Sequence, residues 1–339
     1  MSGPFRLGLV GAGAIARAYV AAIAGMPSVR LSGIADVDAA AAGALAAECG
    51  AATFTTHIGL ADAGICDAVL VTTPPVTHAQ IVVDIVSRGL SVLCEKPLSI
   101  DSASAARMID AATRHGVVLS MASKFRFVDD VIAARKMIRD GAIGVPRMLE
   151  NTFTGVVDMT GRWNSNPTVS GGGVLIDNGT HCADIIRYLL GPISKVHAVA
   201  APRIQPLVVE DGVTLFARTE SGAQATAETS WSIHKDRSSF IEIYGDEGTI
   251  EIGWRGSRRR NGRSGAWESF GTGYDKVAAF AGQIDHFTAV VRGEDRPLPN
   301  CADALASVSV IQAAYRSIAS GAWASVADDM APAAAGAAR

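Results

Sequence analysis

The spacing of apolar and polar residues changes character about a third of the way along this chain, and the change marks its architecture. Phe5–Val10 (FRLGLV) is an apolar run of strand length. It leads into Gly11-Ala12-Gly13-Ala14-Ile15-Ala16 and a helical pattern that lasts until Gly25. Residues 30–35 predict a second strand. An alanine-rich helix follows, capped by Asp38 and stopped at Gly50. Residues 53–55, 67–71, 91–94 and 117–122 predict further strands, with helical segments between them. Strands that alternate with helices imply an α/β domain with a doubly wound parallel sheet, here over residues 1–123.

Beyond a helix predicted over residues 129–139 and closed at Gly141, strand patterns follow one another directly: 147–153, 195–200, 213–218, 224–231, 240–244 and 249–252. Several alternate apolar with polar residues, and Gly245-Asp246-Glu247-Gly248 reads as a hairpin turn. Helical patterns return at 275–292 and 302–320. These features predict a second α/β domain over residues 124–327, its last helices packing back on the first. Residues 328–339 (DDMAPAAAGAAR) have no core-forming pattern and are expected to be disordered.

Chemistry enters at the turn after the first strand, which has the GxGxxA form of the Rossmann dinucleotide fingerprint. Gly11 permits the tight turn, Gly13 lets a pyrophosphate approach the backbone, and Ala16 stands where helix meets strand. Asp36 ends the second strand, about twenty residues on, where a carboxylate accepts hydrogen bonds from an adenosine ribose. An acid there repels a 2′-phosphate, and neither Val37 nor Asp38 offers a cation, so the expected cofactor is NAD and not NADP. Thr72-Thr73-Pro74-Pro75 follows a buried strand at its carboxyl end, the ligand-binding edge of such sheets. Thr77 and Gln80 match a capping box, which makes His78 a first-turn residue beside the cofactor. Glu95-Lys96-Pro97 leaves the next strand at the same edge. The proline holds Lys96 extended, so its ammonium can point toward the nicotinamide end of a bound dinucleotide. The cofactor contacts expected are thus Gly11, Gly13, Ala14, Ile15, Asp36, Thr72, Thr73, Pro74, His78, Glu95 and Lys96.

The second focus is GGGVLIDNGTHCADIIRYLLG, from Gly171 to Gly191. On a helix from Leu175 onward, Asp177, His181 and Asp184 share one face, extended by Tyr188. Gly179, Ala183, Ile186 and Leu190 form an apolar strip behind them, an amphipathic arrangement that turns titratable groups toward something polar. Three consecutive glycines carry an entropic cost that is tolerated where backbone must come close to a ligand. Trp163 gives either a flat surface to a sugar ring or an anchor to its loop. Arg126 either reaches the substrate or ties its loop down. His234 and Lys235 are further candidates for the rim of a pocket.

Together these motifs, with TTPPVTH, CEKP, KFRF at Lys124–Phe127 and DGAIG at residues 140–144, resemble the glucose-fructose oxidoreductase, inositol dehydrogenase and MocA family over nearly the whole chain. The resemblance implies a Rossmann domain followed by an α/β domain with a large open, mainly antiparallel sheet. It also implies catalytic positions occupied here by Lys96, Asp177 and His181, with substrate contacts from these three and from Arg126 and Trp163. The activity so implied is NAD-dependent oxidation of a secondary hydroxyl on a sugar, sugar derivative or cyclitol, by a homodimer or homotetramer. Two other enzyme readings are an NADP-dependent reductase and an oxidoreductase that retains its cofactor and cycles two sugars. A dinucleotide-binding regulator on the same scaffold is the non-enzymatic reading, against which the retention of all three catalytic positions speaks.

Composition adds only bounds. The 339 residues are 49% hydrophobic and 19% charged, with formal net charge −3 and pI near 6.2. That balance predicts neither nucleic acid nor an anionic membrane as partner. The basic stretch at residues 255–263 (RGSRRRNGR) is short and glycine-broken, and reads as a solvated loop. No basic leader with an apolar core precedes the first strand and no apolar run could span a bilayer, so the expected location is the cytoplasm. Cys49, Cys66, Cys94, Cys182 and Cys301 lack any CxxC pair and read as buried reduced thiols. No metal is expected: on the helix face of Asp177, His181 and Asp184 there is no second histidine or cysteine to complete a site.

Overall fold

The computed structural model describes residues 3–262 and 264–327; Arg263 and the expected tail at 328–339 lie outside the described residues. The chain divides into two compact units. One holds the residues up to Lys124 together with Lys276–Ala304, the other Phe125–Asp275 together with the described residues from Leu305 on.

The first unit is built on strands β1 (Phe5–Val10), β2 (Val29–Ala35), β3 (Ala52–Phe54), β4 (Ala68–Val71), β5 (Ser91–Glu95) and β6 (Leu119–Ala122). They form one parallel sheet in the order β3-β2-β1-β4-β5-β6, the doubly wound arrangement that the alternation predicts. Helices α1 (Ala14–Ala24), α2 (Ala39–Cys49), α3 (His57–Asp62), α4 (Pro75–Val86) and α5 (Ser102–His115) connect the strands. The central strands are apolar nearly throughout because helices cover both faces of such a sheet. Leu7, Leu9, Ile34, Leu70 and Leu93 are buried in a core that also takes Phe280, Ile284 and Phe287 from the helix Lys276–Val291. Asp38 caps α2 through the Ala40 and Ala41 amides, and Gly50 closes it in the left-handed conformation, as the sequence indicates.

The capping box at Thr77 and Gln80 does not form. Proline pre-sets the helical φ at a first position, so α4 starts at Pro75 and Thr77 falls inside its first turn. The Thr77 hydroxyl then donates to the Pro74 carbonyl, and Gln80 donates to Asp84.

The second unit contains α6 (Asp129–Arg139), β7 (Pro146–Thr154), α7 (Pro167–Ser170), α8 (Val174–Leu190), β8 (Ile193–Ala200), β9 (Gly212–Thr219), β10 (Gln224–Ser230), β11 (Ser239–Gly245), β12 (Gly248–Gly253), β13 (Ser257–Asn261) and β14 (Glu268–Gly271). After α9, the helix Lys276–Val291 already placed in the first unit, the chain forms α10 (Cys301–Ser320) and β15 (Ala324–Ser325). Nine strands make one sheet in the order β14-β13-β12-β11-β7-β10-β9-β8-β15. Only β7 and β10 pair in parallel; every other neighbouring pair is antiparallel. Strand alternation sorts the faces: Val213, Leu215 and Ala217 of β9 are buried, whereas Phe216 and Arg218, on the other face, are exposed. α8 packs on β7, β9 and β10.

Two expectations are corrected here. The basic stretch expected as a loop contains β13, whose Arg258 and Arg260 lie over the Trp267 ring, with Arg258 also on Glu251 and Arg259 on Glu268. A guanidinium stacks on the face of an indole ring, a contact that a count of charges does not register. Of the cysteines, all free, Cys66, Cys94 and Cys182 are buried, but Cys49 is exposed and Cys301 half-buried.

Candidate active site

In the first unit the winding direction reverses between β1 and β4, and the loops after these strands meet. The Thr72 hydroxyl bonds to the carbonyls of Val10 (3.0 Å) and Gly11 (2.9 Å). Gly11 has φ +99°, and an added Cβ would stand 2.9 Å from the Thr72 carbonyl carbon, so the turn requires glycine. A Cβ on Gly13 would meet nothing within 4 Å. α1 starts there without a capping side chain or an acid in its first turn, leaving its N-terminal amides to an anion. Ala14 is exposed and Ile15 half-buried in that turn, while Thr73 and Pro74 are half-buried after β4.

Asp36 ties this turn to the end of β2. Its carboxylate accepts the Ala12 N–H (2.6 Å) and the Asp38 N–H (2.9 Å), and each oxygen keeps a second lone pair for a ribose hydroxyl. Val37, 95% exposed, brings no charge to this corner. An unfilled approach at Gly13, uncapped amides and a fixed acceptor at Asp36 fit a dinucleotide.

His78 is wholly buried, with Nε2 2.8 Å from the Thr73 carbonyl and Nδ1 3.0 Å from that of Pro97. Burial pushes its pKa below the usual value, against the pull of the carbonyls and of Glu95. Its ring therefore brackets the loop after β4 to the loop after β5, and a direct cofactor contact through its nitrogens is not what this geometry offers. Glu95, also buried, accepts the Tyr19 hydroxyl (2.6 Å) and the backbone N–H of Lys96 (3.0 Å), and Gln283 donates to the same hydroxyl (2.9 Å). Burial, then the Glu95 carboxylate, raises the Tyr19 pKa well above its usual value, which keeps the phenol a donor. The lysine backbone is thus held from α1 and α9. Neither Tyr19 nor Gln283 is recognisable from the sequence, where both look like ordinary helix residues.

In the second unit α8 carries Asp177 and His181 one turn apart. The amphipathic expectation fails, because the helix is buried almost all round; Asp177 and Asn178 are among its few half-exposed residues. His181, 9% exposed, stands edge-on to Phe125 (centroids 5.0 Å apart, 83° between planes) and to Phe153 (6.3 Å, 76°). Phe125 itself stacks on Phe153 and Tyr274. The next residue, Arg126, forms a buried pair with Asp184 (Nη2 to Oδ1 2.7 Å) and lies over the Tyr188 ring. The short helical turn Lys124–Phe127 therefore presents Phe125 to His181 and Arg126 to Asp184. Of the two readings of Arg126, this geometry displays the loop tie. Asp184 and Tyr188 serve that tie rather than the open face predicted for them.

The glycines before α8 also have a different explanation from ligand approach. A Cβ on Gly172 would be 1.9 Å from the Tyr315 hydroxyl, and one on Gly173 would be 2.1 Å from the Glu210 carbonyl. What comes close to them is protein. Trp163 lies in a short helical turn, Trp163–Ser165, and is 45% exposed, which leaves a ring surface available. Lys235 pairs with Glu228, and His234 is exposed.

Residues 5–123 match the family described as "Oxidoreductase family, NAD-binding Rossmann fold", and residues 131–251 match "GFO/IDH/MocA C-terminal domain". Inositol 2-dehydrogenase of Rhizobium meliloti (strain 1021) is 31% identical over 336 residues, 93% of this chain and 97% of the relative. The chain belongs to the GFO/IDH/MocA oxidoreductases. The rhizopine catabolism protein MocA of Rhizobium meliloti is 29% identical to this oxidoreductase over 91% of its chain and 94% of the relative. A solved structure of GenD2 from gentamicin A biosynthesis, in complex with NAD, superimposes with a TM-score of 0.85 at 25% identity, covering 96% of this chain and 97% of the other. The first unit of the oxidoreductase is accordingly an NAD-binding Rossmann domain.

Proposed function

We propose that this oxidoreductase removes hydride from a secondary hydroxyl carbon of a sugar, sugar derivative or cyclitol, with Lys96, Asp177 and His181 as its catalytic group. The carrying observation is the Asp177/His181 pair on a helix clamped by Phe125 and Arg126, in a chain whose Lys96 backbone is held by Glu95. The name of inositol 2-dehydrogenase supports the substrate class. Asp36, followed by Val37 and Asp38 and not by a cation, supports NAD over NADP.

Bound NAD supplies the acceptor for the hydride. His181 takes the hydroxyl proton, the general-base role for which imidazole is the most used side chain. The aromatic wall limits the orientations of its ring. Asp177, one turn earlier, orients the substrate or the imidazole and favours the charged imidazole. Lys96 hydrogen-bonds the reacting oxygen and stabilises alkoxide character as it develops. Trp163 offers a ring face to the sugar. The open sheet face exposes Met148, Val199, Phe216 and Trp323, apolar surface that supports assembly as a homodimer or homotetramer.

The test is NADH formation by the purified protein with a panel of inositols, hexoses, pentoses and anhydrosugars. Lys96→Ala and His181→Ala should each lower turnover by about two to four orders of magnitude while calorimetry shows NAD binding retained. Trp163→Ala should raise KM for the sugar alone. Wild-type turnover in His181→Ala would remove that residue from the mechanism.

A further inference from the structure

The first amides of a helix have no partner within it, and a capping side chain normally takes one of them. Gly173, the capping residue of α8, has no side chain to do so. Glu210, from the loop before β9, takes three. Its Oε1 accepts the N–H of Gly173 (3.0 Å) and of Leu175 (3.2 Å), and its backbone carbonyl accepts that of Val174 (2.9 Å). The same Oε1 receives the Tyr315 hydroxyl from α10 (2.8 Å). Burial, then the nearby carboxylate, raises the Tyr315 pKa far above its usual value, so the phenol stays a donor. The Asp177 N–H donates to the Gly173 carbonyl (3.2 Å), so the turn that ends on Asp177 hangs from the residue Glu210 holds.

Gly172 and Gly173 make room for this joint, since a Cβ on either would strike Tyr315 or Glu210. Two distant parts of the second unit therefore converge on the one turn of α8 that precedes Asp177, with His181 a turn further on. We propose that Glu210, steadied by Tyr315, is a positioning residue that fixes the first turn of α8 and through it the Asp177 carboxylate and the His181 imidazole. The proposal rests on the dehydrogenase reading above. Glu210 acts through the backbone of α8, not on the substrate.

Glu210→Gln keeps the shape of the side chain but replaces the shared carboxylate with one neutral oxygen. Chemistry is sensitive to small displacements, so kcat should fall about tenfold. KM for NAD and the stoichiometry of NADH binding should stay as in the parent. With substrate deuterated at the reacting carbon, the isotope effect on kcat should grow, which loss of folded protein would not cause. Amide exchange over residues 173–177 should quicken, and this readout needs no substrate. Tyr315→Phe removes only the phenol oxygen, which bonds Glu210 and also meets the backbone of Gly173 and Ile176; it should show the same changes in smaller measure, and serves if Glu210→Gln does not fold. Parent-like kcat in a folded variant, or parent-like exchange over 173–177, overturns the proposal. If the parent oxidises nothing in the panel, the dehydrogenase reading fails, and exchange alone decides whether Glu210 orders the turn.

Discussion

Asp184→Asn removes one charge from a pair that has almost no access to water: the Arg126 side chain is 2% exposed and that of Asp184 4%. Arg126 directs Nε at both carboxylate oxygens (2.9 and 3.1 Å) and Nη2 at one (2.7 Å). The variant breaks the buried pair by taking away one of its two charges, which costs about 3–5 kcal/mol in such settings. Contact between Arg126 and the Tyr188 ring persists in both proteins and does not offset the loss. At about 2–4 °C per kcal/mol for a unit of this size, the melting temperature should fall by on the order of 10 °C. Urea denaturation of the parent and Asp184→Asn measures that loss, and the parent, Asp184→Leu, Arg126→Met and the double variant Arg126→Met/Asp184→Leu together give the coupling directly. The double variant should recover most of the stability, because it replaces both buried charges of the pair with apolar side chains. Destabilisation of Asp184→Asn below about 1 kcal/mol, the range of exposed ion pairs, would refute the reasoning.

Two further outcomes follow from the second unit. Asp211 is buried and accepts the Ser232 hydroxyl and the amides of Ile204 and Gln205; burial raises its pKa, but these bonds outweigh it and the net direction is down. A carboxyl with a lower pKa in the folded state contributes stability above its unfolded pKa of about 3.9, and that contribution is lost as pH falls through the folded value. Asp211→Asn should therefore flatten the acid limb of a stability-against-pH curve measured by urea titration; an unchanged limb would count against it. Sedimentation at micromolar concentration should show a dimer or tetramer that Phe216→Asp, on the open sheet face, converts to monomer. A monomeric parent would end that reading.

What could be read from the sequence is what neighbouring residues decide between themselves. A left-handed turn after a strand needs Gly11 whatever surrounds it, and a carboxylate ending the second strand of this topology reaches the same corner, so Asp36 is legible too. The position of Lys96 follows from the strand before it and the proline after it. Partners brought in from far along the chain could not be seen. Asp184 and Tyr188 look like an open polar stripe until Arg126 is placed against them. The glycines at 172 and 173 look like room for a ligand until Tyr315 and Glu210 are found there. The strand β13 was hidden because what packs along it is guanidinium on tryptophan rather than aliphatic side chain.

Asp36 also constrains redesign. Because the carboxylate that would recognise the ribose is the same one that accepts the Ala12 amide, exchanging it for alanine to admit a phosphorylated dinucleotide would slacken the glycine turn along with the selectivity. An engineer changing cofactor preference should keep an oxygen acceptor at 36, as serine or asparagine, and place the new cation at the exposed position 37. Selectivity and loop rigidity are coupled in one side chain, and they would have to be retuned together.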